Sequence, residues 1–134
     1  MRVLSDNTGL RSCRASGIGP FAEKGLNPYV SDGLEFEFHY LFTRKFWMMY
    51  ACKALVACAG GFGTMDELFE LLTLVQTGKK SRIPILMFGR EFWTRAINVA
   101  FLAQQGVISP EDVLLFQYVE TAEEAWDRIR AHYG

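Results

Sequence analysis

The stretch VACAGGFGTMDELFE, residues 56–70, sets Gly60, Gly61 and Gly63 between a short apolar run and a helical pattern. The run ALVAC, residues 54–58, is wholly apolar and brief, as a buried parallel strand should be. From about Thr64 to Gln76 the pattern predicts a helix, closed by Gly78 and two lysines. The fold turns on whether this strand–turn–helix is one of several.

Outward from it, the alternation repeats. Residues 34–40 place Leu34, Phe36, Phe38 and Tyr40 on one side and Glu35, Glu37 and His39 on the other, a period of two that predicts a strand. Thr43 reads as an N-cap for a short helix over 44–53. Residues 83–88 predict a strand, 91–105 a helix ended by Gly106, and Ser109-Pro110 a short helical turn. A strand over 116–119 and a helix over 121–132 complete the chain. Repeated strand–helix units favour an α/β fold, a parallel sheet with helices on both faces. Ligands in such sheets sit outside the carboxyl ends of the strands, where the glycine loop and Thr43 both fall. Residues 1–33 differ. They are rich in Gly, Ser, Asn and Pro and read as mostly irregular, with one short strand.

Composition narrows the class. The chain has 134 residues, 50% of them hydrophobic, which suits one domain with its own core. A formal net charge of -1 gives no reason to expect nucleic acid or an acidic membrane as partner. No leader pattern opens the sequence, and no apolar run reaches the roughly 18 residues of a membrane span. Cys13, Cys52 and Cys58 are odd in number and lack a Cys-x-x-Cys spacing, which argues against a disulfide or metal framework and for the reducing cytoplasm.

The plainest account of the loop is a capping box, Thr64 as N-cap with Glu67 reaching back. The chain supplies its own control. Thr121 to Glu124 is a second such box and Ser109 to Asp112 a close analogue, and neither follows a glycine cluster. The glycines therefore ask for another reason. Helix N-termini attract anions, and missing side chains let a phosphate approach. Arg44 and Lys45, in the first turn of their predicted helix, oppose its dipole, as two cations awaiting an anion would. No Gly-Lys-Ser/Thr follows the glycines and no G-x-G-x-x-G is present, so neither a Walker loop nor a dinucleotide fingerprint is read.

Arg44-Lys45 followed by AGGFGTMDE, residues 59–67, resembles the hallmark of the LOG ("lonely guy") phosphoribohydrolases, cytokinin-activating enzymes once labelled lysine decarboxylases. Likeness extends from GLNPYV (25–30) through GREFW (89–93) to AEEAW (122–126). The resemblance implies a single Rossmann-like domain over 1–134, with 34–134 as its family-like core. It implies hydrolysis of the N-glycosidic bond of a nucleoside 5′-monophosphate, of cytokinin riboside or AMP type, to free base and ribose 5-phosphate. Carried over, Gly60, Gly61, Gly63 and Thr64 hold the 5′-phosphate, Lys45 lies close by, and Arg44 and Glu67 are the catalytic pair. No metal or organic cofactor is implied, and no site for pyridoxal phosphate is read. A cytoplasmic homodimer or larger homo-oligomer is expected, without nucleic acid or membrane.

Two positions depart from the family. Ala59 replaces the loop's proline, and the family's earlier glycine-rich strand–helix unit has no match beyond SGIGP, residues 16–20. The amino-terminal part of the sheet is therefore expected to be truncated or atypical. The residues alone leave open a non-catalytic nucleotide- or phosphate-binding module, or a degenerate member. Among other candidates, Phe46 to Tyr50 read as a buried helix, Phe92 and Trp93 as core or interface, and Cys52 and Cys58 as small buried hydrophobes. Lys79, Lys80 and Arg82 read as a charge cluster at a helix end, and His39 as a residue on the polar side of its strand.

Overall fold

The computed structural model describes the backbone at residues 4–5, 11–12, 14–17, 35–38 and 41–134, and the side chains from residue 42 onward except that of Arg44. The chain divides into two compact units, Arg2–Lys53 and Ala54–Gly134.

In the first unit, strands β1 (Leu4–Ser5) and β2 (Arg11–Ser12) pair antiparallel. Strand β3 (Arg14–Gly17) pairs parallel with β4 (Glu35–Phe38), Arg14 opposite Glu35 and Gly17 opposite Phe38. The amino end thus carries three strands where the composition suggested one, including a parallel partner for β4. Short Arg/Ser/Gly-containing strands lack the apolar alternation by which strands are recognised. His39 and residues 18–20 lie outside the described residues.

Helix α1 (Leu41–Ala51) packs on β3 and β4. It starts three residues before the predicted start at Arg44, so Thr43 lies within its first turn and caps nothing. Met49 and, just beyond the helix, Cys52 are buried. The aromatic cluster is not buried all round as expected. Phe46, Trp47 and Tyr50 are exposed and pack on one another, Phe46 stacked on Tyr50 at 6.1 Å and Trp47 edge-on to both. Tyr50 lies three and four residues after Trp47 and Phe46, spacings that bring side chains together on a helix surface.

The second unit holds β5 (Leu55–Ala57), β6 (Ile85–Phe88) and β7 (Gln117–Val119), parallel and in that order. Leu55 lies opposite Ile85, and Phe88 opposite Val119. Helices α2 (Phe62–Gln76), α3 (Arg90–Ala96), α4 (Val99–Gln104) and α5 (Ala122–Tyr133) surround the sheet, with a 3-10 turn over Pro110–Leu115. This is the α/β, Rossmann-like arrangement expected from the alternation. Leu68, Leu71 and Val75 give α2 a buried stripe at helical spacing, facing a core that includes Leu55, Ile85, Leu86, Met87, Trp93 and Val119. Each large side chain so buried contributes about 1.5–3 kcal/mol.

The predicted helix over 91–105 is two. Ile97 is extended, and the Asn98 side chain accepts a hydrogen bond from the Phe101 N–H at 2.9 Å, restarting the helix. An asparagine competes locally with the helical backbone, and here it prevails. Gly78 and Gly106 end their helices in the left-handed region, as their positions in the sequence predict.

Candidate functional site

Residues 58–61 run from the carboxyl end of β5 to the first turn of α2, the edge where α/β sheets bind ligands. Helix α2 starts at Phe62 with Gly61 as its N-cap, in extended geometry, and its first backbone bond runs from the Met65 N–H to the Gly61 carbonyl at 3.1 Å. The expected capping box at Thr64 and Glu67 does not form. Thr64 sits at the third helical position and Glu67 at the sixth, beyond reach of the cap. With Gly61 extended at the cap, the helix begins three residues sooner than a cap at Thr64 would allow.

The consequence is an open helix end. Among the described residues no side chain accepts from the first turn of α2, and that turn contains no acidic residue. Every other helical start in this unit is served. Glu120 Oε1 accepts from Arg90 N–H at the start of α3 (2.9 Å). Asn98 serves α4, and Asp112 Oδ2 accepts from Ser109 N–H at the 3-10 turn (2.8 Å). Thr121 Oγ1 accepts from Glu124 N–H at α5 (3.1 Å). Orphan N–H groups at a helix start carry about half a positive charge. At α2 this charge faces outward with neither a cap nor a carboxylate to answer it.

The glycines divide by role. A Cβ on Gly60 would lie 2.3 Å from Thr64 Oγ1 and 2.8 Å from Thr64 Cβ, so the absence of a side chain there lets the threonine fold back on the loop. Gly61 and Gly63 have no such neighbour. A Cβ on either would enter open space, and neither has a positive φ. Packing explains Gly60, while neither packing nor backbone geometry requires glycine at 61 or 63.

Glu67 is half-buried, four residues after Gly63 and so on the same helix face. Five residues beyond Phe62, its Cα lies about 7.5 Å along the helix from the open end. Gly60, Gly61, Gly63, Thr64 and Glu67 are thus brought together on one loop and one helix. Arg44 and Lys45 belong to the other unit, on α1. They are its fourth and fifth residues, at and beyond the end of the first turn, where the dipole's repulsion of a cation falls off; Lys45 is half-buried.

Two features at the loop were missed from the sequence. Trp93 is fully buried, and its indole Nε1–H donates to the carbonyl of Ala57, the last residue of β5, at 3.2 Å. The signal was available, since a buried indole N–H needs an acceptor. Phe62, between the glycines, is 93% exposed. Cys58, expected in the core, is also exposed, while Cys52 is buried as expected. Lys79, Lys80 and Arg82 fall after the last turn of α2, which holds no basic residue. Among the described residues no cluster of His, Cys, Asp or Glu could hold a metal ion, and no helix is long and apolar enough to cross a membrane.

No curated protein matches the chain. A family described as "possible lysine decarboxylase" matches it over residues 4–129, a span that includes the glycine loop, α1 and most of the amino-terminal segment. With nearly its whole length matched, the chain belongs to this family, that of the LOG-type nucleotide phosphoribohydrolases.

Proposed function

We propose that the protein hydrolyses the N-glycosidic bond of nucleoside 5′-monophosphates, of AMP or cytokinin riboside type, releasing the base and ribose 5-phosphate. One observation carries the reading: α2 is the only helix of its unit whose start has no side-chain acceptor, and it opens on glycines whose missing side chains leave space. A dianionic phosphate meets both needs, charge for the dipole and acceptors for the N–H groups.

In this reading Gly60, Gly61, Gly63 and Thr64 receive the 5′-phosphate. Breaking the glycosidic bond sends its electron pair to the departing base, which takes up a proton, and leaves positive charge on the sugar. Water adds at that carbon and gives up a proton. Glu67, a turn below the phosphate, stabilises the developing charge and orients or deprotonates the water. The roles of Arg44, which orients substrate and offsets anionic charge, and of Lys45 beside it rest on the sequence motif. The reaction calls for no metal or organic cofactor, and we place the protein in the cytoplasm as a homodimer or larger homo-oligomer.

The test is chromatographic detection of adenine from AMP with the full chain and with Glu67→Gln. The expected result is release by the natural sequence, reduced by a factor on the order of 100 or more in the variant. Binding of AMP without product would turn the reading to a non-catalytic nucleotide-binding module. Release unchanged by Glu67→Gln would remove the carboxylate's role.

A further inference from the structure

Among the described residues Phe62 is the most exposed of the large apolar side chains, at 93%, and it is the first residue of α2. Exposing an entire phenyl ring forgoes the stabilisation that burial brings, so a ring held this way stands ready for a partner. Its position says which one. In a helix the Cα–Cβ bond tilts toward the N-terminus, so a side chain at the first position leans past the helix start. The ring is therefore carried toward the open end where the uncapped N–H groups point. Gly61 and Gly63, on either side, have open space where their side chains would be, and no described ring packs on Phe62.

We propose that Phe62 is a specificity-determining residue that stacks on the base of the bound nucleotide and favours purines over pyrimidines. The inference rests on the phosphate reading of the loop given above. In a nucleoside 5′-monophosphate one sugar ring separates phosphate from base, so a phosphate held at the first turn of α2 brings a flat aromatic face close to the residue at that turn. Offset stacking on a phenyl ring needs no hydrogen bond and grows with the area of overlap, which is greater for a bicyclic purine. The role is one of binding. The ring has no group to move a proton, and Glu67 lies on the helix below it.

The experiment is calorimetric titration of the full chain, Phe62→Ala and Phe62→Trp with AMP, CMP and ribose 5-phosphate. Phe62→Ala is expected to weaken AMP roughly tenfold, CMP less, and ribose 5-phosphate not at all, while Phe62→Trp retains AMP. In turnover the same variant should raise KM for AMP with kcat little changed. A residue so exposed should leave the thermal midpoint in place. Equal AMP affinity in Phe62→Ala and the natural sequence, with ribose 5-phosphate still bound, overturns the stacking role and spares the phosphate site. Equal weakening of AMP and ribose 5-phosphate also overturns it, since the ring would then only shape the loop, as does a loss of self-association with AMP binding intact. Failure of the natural sequence to bind either ligand overturns the phosphate reading and this inference together.

Discussion

Helices α2 and α5 each follow a strand of the same sheet, and each begins near a Thr-x-x-Glu sequence. At α5 the sequence does what its pattern implies. Thr121 takes the Glu124 N–H, and Glu124 Oε2 takes the Glu120 N–H at 3.0 Å. At α2 the same four-residue pattern stays unused as a cap, because the helix begins ahead of it, at Phe62, with Gly61 extended at the cap. One start is closed by its own side chains and the other is left open to an anion. The same local motif caps one helix and not the other, according to where each helix begins.

The widest contrast should appear on adding ligand. At AMP a hundredfold above its dissociation constant, stability should rise by about 2.7 kcal/mol. Hydrogen exchange should locate the gain, with amides of Phe62, Gly63 and Thr64 slowed and that of Glu124 unchanged. Equal slowing at both starts would dissolve the distinction. Next is Gly60→Ala, whose new methyl collides with Thr64 and should cost about 1–3 kcal/mol in denaturant unfolding. Thr121→Ala removes a working cap and should cost about 1 kcal/mol while leaving AMP affinity alone.

A smaller effect of opposite sign is expected at Gly63. Gly63→Ala places a better helix former inside α2 and should stabilise the free protein by up to about 1 kcal/mol. The same methyl enters the open space that the proposed function gives to phosphate, so AMP should bind more weakly. A variant more stable and less able to bind separates the ligand role from a folding role. Thr64→Ala should be the quietest in thermal melts, within about 0.5 kcal/mol, because Thr64 caps nothing. A loss near that of Thr121→Ala would mean the capping box operates after all.

The second unit was legible where packing alone decides. Apolar runs too short for helices gave β5 and β6, and the stripe Leu68, Leu71, Val75 gave α2. Boundaries were less legible. Whether Thr64 or Gly61 caps α2 depends on the conformation of a glycine, which has no side chain to declare it. Asn98 splits a continuous helical pattern with one hydrogen bond, a choice between two local partners that periodicity does not register. In the first unit, β3 has the sequence Arg-Ala-Ser-Gly, and only its pairing with Glu35–Phe38 makes it a strand. Of the candidate site, the loop and Glu67 were readable from residue type and spacing. Phe62 is marked by no motif of its own, and its exposure follows only from where α2 begins.

The bond from Trp93 to Ala57 ties the glycine loop to a helix that forms thirty-six residues later in the chain. The loop is moored by the next strand–helix unit as well as by its own. A peptide excised over residues 54–78 would keep every glycine and the carboxylate, yet the Ala57 carbonyl would lose the indole that fixes the end of β5. Affinity for phosphate should therefore not travel with the motif when it is grafted elsewhere; the graft must bring the second strand, its helix and the tryptophan.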